Sequence, residues 1–247
     1  MIANWKMYVG ESHEALAYGK ALRAKMRGFE GVEVSIAPPF VVIPMLAEQL
    51  SRSTIRVGAQ AVSSFASGAH TGEISAAMLK KAGASFSLIG HSERRALGEG
   101  NEAVRAQMLE ASAQGLAIIL CVGERERHES GEHFAFIKEQ LATALSGLPK
   151  KALSKLVIAY EPVWAIGKHA DDAMKPQEIQ ESAIFIRKTL NELIEPGAAK
   201  RVPILYGGSV EESNAAQILK EGGVNGFLVG HASSDLVHFL PILKACK

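Results

Sequence analysis

The run Leu156-Val157-Ile158-Ala159-Tyr160-Glu161-Pro162-Val163-Trp164-Ala165-Ile166-Gly167 joins an apolar strand to a carboxylate at the place where the strand has to stop. Pro162 removes a backbone donor and biases Glu161 toward extended geometry. Val163, Trp164 and Ile166 then place large apolar side chains in a segment too short and turn-rich to be core. Beyond it an amphipathic stretch runs from Pro176 to Leu193, its proline suited to a first helical turn. Strand, loop and helix make one unit, and the fold depends on how often that unit recurs.

It recurs along the whole chain. Short β-branched and apolar runs predict strands at Ile2 to Ala3, Glu33 to Ala37, Ile55 to Ala59 and Ser85 to Ile89. Four more follow at Ala117 to Cys121, Leu156 to Tyr160, Pro203 to Tyr206 and Gly226 to Val229. Amphipathic spacing predicts helices at Glu11 to Met26, Val41 to Leu50, Ser75 to Ala82, Asn101 to Gln114 and Phe134 to Leu145. The remaining helices are Pro176 to Leu193, Glu212 to Leu219 and Leu236 to Ala245, the last capped by Ser234 and Asp235. Strands that each lead into a helix favour a closed parallel (β/α)8 barrel of the α/β class, one domain over 1–247. The competing architecture, an open doubly wound sheet, has fewer strands and a G-x-G-x-x-G after the first, which is missing. One connection is unusually long: Gln60 to Ile74, rich in Ser, Ala, Gly and His. Such a loop in a compact barrel is usually functional or an interface element.

Composition narrows the function. At 247 residues, 47% hydrophobic and 21% charged, the chain can build one large core. A net charge of +1 gives no reason to expect nucleic acid or an anionic membrane as partner. Cys121 and Cys246 follow no metal spacing and the histidines are scattered, so no metal is expected; His128 with His133 reads as a solvated loop pair. No apolar run approaches the roughly 20 residues of a membrane span, and Met1 to Lys6 carries no signal-peptide core. A soluble cytoplasmic protein with reduced cysteines is expected.

In such a barrel the chemical groups sit just after the strands, on one face. Asn4 and Lys6 follow the first strand, Gly90-His91-Ser92-Glu93 the fourth and Glu161 the sixth. Gly207-Gly208-Ser209 follows the seventh and Gly230-His231-Ala232-Ser233 the eighth. Glu161 is either a general base dried by the lid behind it or a rim glutamate in a salt bridge; the lid favours the base. His91 precedes a short helix with a cap and an acidic first turn, Ser92-Glu93-Arg94-Arg95. An imidazole at that positive helix end is disfavoured as a cation and can donate to a carbonyl oxygen, unless it is merely structural. Lys6 is a counter-charge for a substrate anion or a solvated lysine. Asn4 is a donor to a substrate oxygen or a tie within the barrel, and Trp5 between them points away into packing.

Backbone N–H groups at helix starts, uncovered by glycine, hold phosphate without a cationic side chain. A lone Gly-Gly is usually a turn. Two such stretches on adjacent strands, with Gly167 ending the lid, favour a phosphate site. Base, neutral donor, cation, phosphate cradle and lid together imply proton abstraction beside a carbonyl, through an enediolate, on a small phosphorylated substrate. No nucleotide motif is present and no cofactor is expected.

Asn4-Trp5-Lys6-Met7, Gly90 to Arg95, Cys121-Val122-Gly123-Glu124, Tyr160 to Gly167 and Leu205-Tyr206-Gly207-Gly208-Ser209-Val210 resemble the triosephosphate isomerase family, in order and over essentially the whole chain. That family is itself the standard illustration of a glutamate base, a neutral histidine and a closing loop. The resemblance implies a TIM barrel interconverting dihydroxyacetone phosphate and glyceraldehyde 3-phosphate in glycolysis and gluconeogenesis, without cofactor. It implies Glu161 as base, His91 as electrophile, Lys6 and Asn4 on the oxyanion side, and Ser92 and Glu93 in support. Phosphate would rest on backbone groups of Gly167, Ser209, Gly230 and His231. It also implies a homodimer in which the Gln60 to Ile74 loop, through His70-Thr71-Gly72-Glu73, enters the neighbouring subunit, with Thr71 near its active site.

Four departures from the family pattern stand out. His231 replaces a glycine, at a cost of ~1–2 kcal/mol if the backbone there needs positive φ. The lid leaves through Lys168-His169-Ala170 and a longer acidic stretch. Only three residues precede Asn4, so the first strand is short and its seam is expected to be weak. Ala61 replaces an asparagine beside the dimer loop. Two other readings remain: a Schiff-base aldolase or metal-dependent epimerase, and a barrel that binds phosphate without turnover.

Overall fold

The computed structural model describes residues 1–128, 130–167 and 173–247. Among them eight parallel strands alternate with helices. They are β1 (Ile2–Asn4), β2 (Ser35–Ala37), β3 (Arg56–Val57), β4 (Phe86–Ile89), β5 (Ala117–Val122), β6 (Leu156–Tyr160), β7 (Ile204–Tyr206) and β8 (Leu228–Val229). Hydrogen-bonded neighbours run β3-β2-β1-β8 in one arc and β4-β5-β6-β7 in the other. Single parallel bridges, Ala59 with Ser87 and Tyr206 with Phe227, join the arcs and close the ring. This is the expected (β/α)8 barrel.

The seam at β1 is not its thin place. β1 pairs in register with β2 from Ile2 to Asn4 and with β8 through Ile2 and Ala3. Between β3 and β4 the joint is made by Ser85 N–H donating to the Val57 carbonyl at 2.8 Å, with Ala59 N–H to Phe86 and Leu88 N–H to Ala59 at 2.9 Å; between β7 and β8, Tyr206 N–H donates to Gly226 at 3.0 Å and Asn225 N–H to Ile204 at 2.7 Å.

Strand alternation sorts the core into two layers. On β6, Val157 and Ala159 face the barrel axis, where Ile2, Phe86, Leu88, Ile119 and Leu205 also gather. Leu156, Ile158 and Tyr160 face outward into the larger layer between strands and helices. Burial on both faces is why these strands read as continuous apolar runs.

The helix Pro176–Leu193 shows how the outer layer is built. Pro176 opens it, and the Lys175 N–H donates to Glu178 Oε2 at 3.0 Å, satisfying one orphan donor of the first turn. Ile179, Ala183, Ile186 and Leu190 form its buried stripe. Each isoleucine taken out of water there contributes about 2 kcal/mol. Asp235 caps Leu236–Lys244 as expected, its side chain accepting from Val237 N–H.

Some elements differ from expectation. The helix expected from Val41 starts as a 3-10 turn, Phe40–Val42, and turns α at Ile43–Leu50, where Pro44 occupies the first turn. The four-residue helices Lys150–Leu153 and Pro196–Ala199 are too short to show a period. His133 is not a solvated loop residue. It lies buried in the first turn of Glu132–Leu145, its ring centroid 4.1 Å from that of Phe134. No described helix is long and apolar enough to cross a membrane.

Candidate active site

The ends of β1 and β4 set two groups side by side. Asn4 is buried at the close of β1, and Trp5 beyond it packs edge-on against Tyr18, as expected. Lys6 then takes a φ of 46°, the one positive value at a described non-glycine residue. That left-handed geometry costs on the order of 1–2 kcal/mol and persists only where neighbours hold it. Lys6 N–H donates to Asn4 Oδ1 at 3.2 Å, and Gln60 Nε2 donates to the carbonyls of Lys6 and Ala37 at 2.8 and 3.0 Å. Lys6 Nζ donates to Glu93 Oε1 at 2.6 Å. Burial pushes the Glu93 carboxyl up, but the Lys6 hydrogen bond and charge, with His91, outweigh it and hold the group below the ordinary range.

Gly90, at φ 73°, turns the chain from β4 into His91; any side chain there would crowd Arg95 and Val104. Arg95 Nε donates to the Gly90 carbonyl at 2.8 Å and secures the turn. The cap of the short helix Ser92–Ala96 is the His91 side chain, whose Nδ1 accepts from Glu93 N–H at 3.2 Å. Because Nδ1 accepts, we assign the ring proton to Nε2. That Nε2 lies 3.3 Å from Asn4 Nδ2 and 3.3 Å from Glu161 Oε1. With Asn4 Oδ1 taken by Lys6 N–H, the asparagine amide and the imidazole are both donors. They converge with no acceptor between them, as a substrate oxygen would require.

Glu161 follows β6 and is 2% exposed. Its Oε2 accepts from Ser92 N–H at 2.8 Å. Its Oε1, although near His91, makes no aligned hydrogen bond among the described residues. A buried carboxylate oxygen left so typically costs about 1–3 kcal/mol. Beneath it, burial first and the Glu161 charge second push the Cys121 thiol well up, so Cys121 stays protonated.

The stem of the loop after β6 is a 3-10 turn, Val163–Ala165. Trp164 Nε1 and Tyr160 OH each donate to Glu124 Oε1 at 2.9 Å, and Val163 N–H donates to the Glu124 carbonyl at 2.9 Å. Ser209 Oγ donates to the Ala165 carbonyl at 3.0 Å, joining the stem to the turn after β7. Glu124 is 1% exposed and carries this network. The sequence reading had it only inside a motif, without a role. Its signal was position: a carboxylate two residues past the fifth strand.

Among the described residues, the N–H groups of Gly167, Ser209 and His231 donate to no protein acceptor. His231 opens a 3-10 turn, His231–Ser234, and is not at positive φ, so replacing glycine there brings no backbone strain. Its ring meets that of Tyr8 edge-on at 4.6 Å. Tyr8 lines the site and was missed, although it stands two residues beyond Lys6. The Lys168-His169-Ala170 exit of the lid lies outside the described residues.

A cavity of about 390 Å³ unites the site. Asn4, Lys6, His91, Glu161, Gly167, Ser209, Gly230 and His231 all line it. Glu93 does not, and reaches it through Lys6. The barrel thus gathers the buried Glu161 carboxylate, two converging donors, one cation and a bank of unengaged N–H groups, with the exposed Glu211 also on the cavity wall.

The comparisons with known proteins identify the family. The family model "Triosephosphate isomerase" matches residues 1–246. A triosephosphate isomerase of Protochlamydia amoebophila is 41% identical over 243 residues, covering 98% of this chain and 90% of the relative. One of Symbiobacterium thermophilum is 41% identical over 245 residues, covering 98% and 94%. The crystal structure of triosephosphate isomerase from Bartonella henselae superposes with a TM-score of 0.87 at 34% identity, covering 99% of this chain and 97% of that one.

Proposed function

Since the chain belongs to the triosephosphate isomerase family and is an isomerase, we propose that it interconverts dihydroxyacetone phosphate and glyceraldehyde 3-phosphate through an enediolate, with Glu161 moving the proton. The observation that carries this reading is the buried Glu161 carboxylate, one oxygen uncommitted, beside the His91 Nε2 donor.

In the proposed cycle the substrate phosphate takes the N–H groups of Gly167, Ser209 and His231, with Gly230 alongside. Its carbonyl oxygen accepts from His91 Nε2 and Asn4 Nδ2, filling the gap between those donors. Glu161 gives up Ser92 N–H, takes a proton from one carbon and returns it to the next, while the hydroxyl proton passes from one substrate oxygen to the other by way of His91 Nε2, so that carbonyl and hydroxyl exchange places. Lys6 balances the negative charge growing on oxygen, and Glu93 keeps the ammonium in place. Closing the lid dries the carboxylate and retains the enediolate. The Schiff-base alternative fits less well, because the Lys6 amine is an ammonium paired to Glu93 rather than a free nucleophile. No cofactor enters, and we read the whole of 1–247 as one catalytic domain acting in the cytoplasm.

Turnover of glyceraldehyde 3-phosphate in heavy water tests the scheme. Dihydroxyacetone phosphate carrying solvent deuterium on the carbon that gains the proton is the expected product. Product without solvent isotope, under conditions that allow the base to exchange, would rule out the shuttle.

We propose further that the active form is a homodimer built through the Gln60 to Ile74 loop. Met7, Tyr8, Val41, Phe65 and Met78 are exposed apolar side chains, all from the first three strand–helix units. Gln60 couples the loop to the Lys6 carbonyl, so seating the loop on a partner would steady the site. Sedimentation is expected to give twice the chain mass, and Thr71→Arg to give single chains with reduced kcat. An unmodified chain that is monomeric and fully active at assay concentration contradicts the dimer.

A further inference from the structure

The opposite end of the barrel holds a second, larger cavity of about 1000 Å³. It opens among the strand starts, and none of the residues lining the candidate active site reaches it. Its floor is apolar: Ile2, Phe86, Ile119 and Leu205 of the axis layer reach it, with the half-buried Ala117 and Val157. Its size lies at the upper end of ordinary small-molecule sites.

Its mouth is charged with one sign in excess. The two lining carboxylates are already engaged: Glu33 pairs with Arg56 at 2.6 Å and Glu195 pairs with Lys150. Lys155 and Arg201 also line the mouth, just ahead of β6 and β7. Lys155 Nζ donates only to the Gly115 carbonyl, at 3.1 Å, which leaves its charge unbalanced. Among the described residues Arg201 has no ion-pair partner. A ligand matching this cavity has an apolar body and one negative end.

We propose that this cavity binds a small amphipathic carboxylate, its tail on Ile2, Phe86, Ile119 and Leu205 and its head at the cationic mouth that Lys155 and Arg201 line. This site does not depend on the isomerase reading.

Calorimetric titration of the full chain with octanoate tests it, with acetate as the tail-less control and octylamine as the charge control. Octanoate is expected to bind saturably, one per chain, while acetate and octylamine do not. Excess inorganic phosphate, which occupies the catalytic end, should leave octanoate affinity unchanged. The exposed double substitution Lys155→Glu with Arg201→Glu should weaken octanoate about tenfold or more. Val157→Phe, which fills the floor, should abolish binding; its folding is checked by circular dichroism, and the double variant decides alone if it fails. Failure of octanoate to bind, equal binding by the double variant, equal binding of octylamine, or displacement by phosphate would each overturn the proposal.

Discussion

Replacing Glu161 with glutamine is expected to lower kcat at least ~10²-fold while the protein keeps its fold and most of its affinity for substrate. The size of the loss follows from what glutamine preserves. It has the same shape, and its amide oxygen can still accept from Ser92 N–H where Glu161 Oε2 does at 2.8 Å. What goes is the lone basic oxygen facing the cavity. In its place an amide donor would sit near the His91 Nε2 proton, 3.3 Å away, where two donors oppose one another. The thermal midpoint should hold or rise, because a buried charge with an unsatisfied oxygen is removed. A steady-state assay coupled to consumption of dihydroxyacetone phosphate reads the rate, and a melting curve reads the fold. Near-native turnover by the glutamine variant would remove Glu161 from the mechanism.

A methyl group on Gly123 is expected to cost activity on the same scale, for a steric reason. Gly123 follows β5, and a Cβ built there falls 1.8 Å from the Glu161 carbonyl oxygen and 2.5 Å from its carbon. Both are backbone atoms, so no rotamer change relieves the clash. Gln140 holds Gly123 from behind, with Oε1 accepting from its N–H at 2.9 Å and Nε2 donating to its carbonyl at 3.2 Å. The strain therefore passes to the end of β6, and with it to Glu161, the proposed base. Displacing a catalytic group by about 1 Å costs about 10²-fold. Gly123→Ala should lower kcat by about that factor and also lower the thermal midpoint. Gly28→Ala, whose Cβ meets nothing within 4 Å, serves as the neutral control. A fully active Gly123→Ala enzyme would show that β6 tolerates the shift.

The barrel was legible in the sequence because each strand is buried on both faces and each long helix carries one apolar stripe. Pro176–Leu193 matches expectation to the residue, since a proline at its start and a periodic stripe mark both ends. Strand ends were harder to place. β3 is only Arg56–Val57, and no local pattern distinguishes paired from unpaired residues in an apolar run. The site residues were legible from their place after strands. Their connections were not. Nothing local says that His91 caps its own helix, that Glu124 receives both Trp164 and Tyr160, or that Gln60 reaches back to Lys6. Each bond crosses dozens of residues or depends on one ring's rotation, and only the folded chain supplies that. His133 was misplaced for a related reason: a polar side chain in a loop-like stretch gives no hint that a helix starts beneath it.

The two single bridges that close the ring have a consequence beyond the barrel's shape. They divide it into half-shells, with Asn4 and Lys6 on one and His91 and Glu161 on the other, while Ser209 and Gly230 flank the bridge between β7 and β8. A triose phosphate seated at the mouth would touch both half-shells and act as a clasp across them. Occupancy then stabilises the closed cylinder in proportion to the logarithm of ligand concentration.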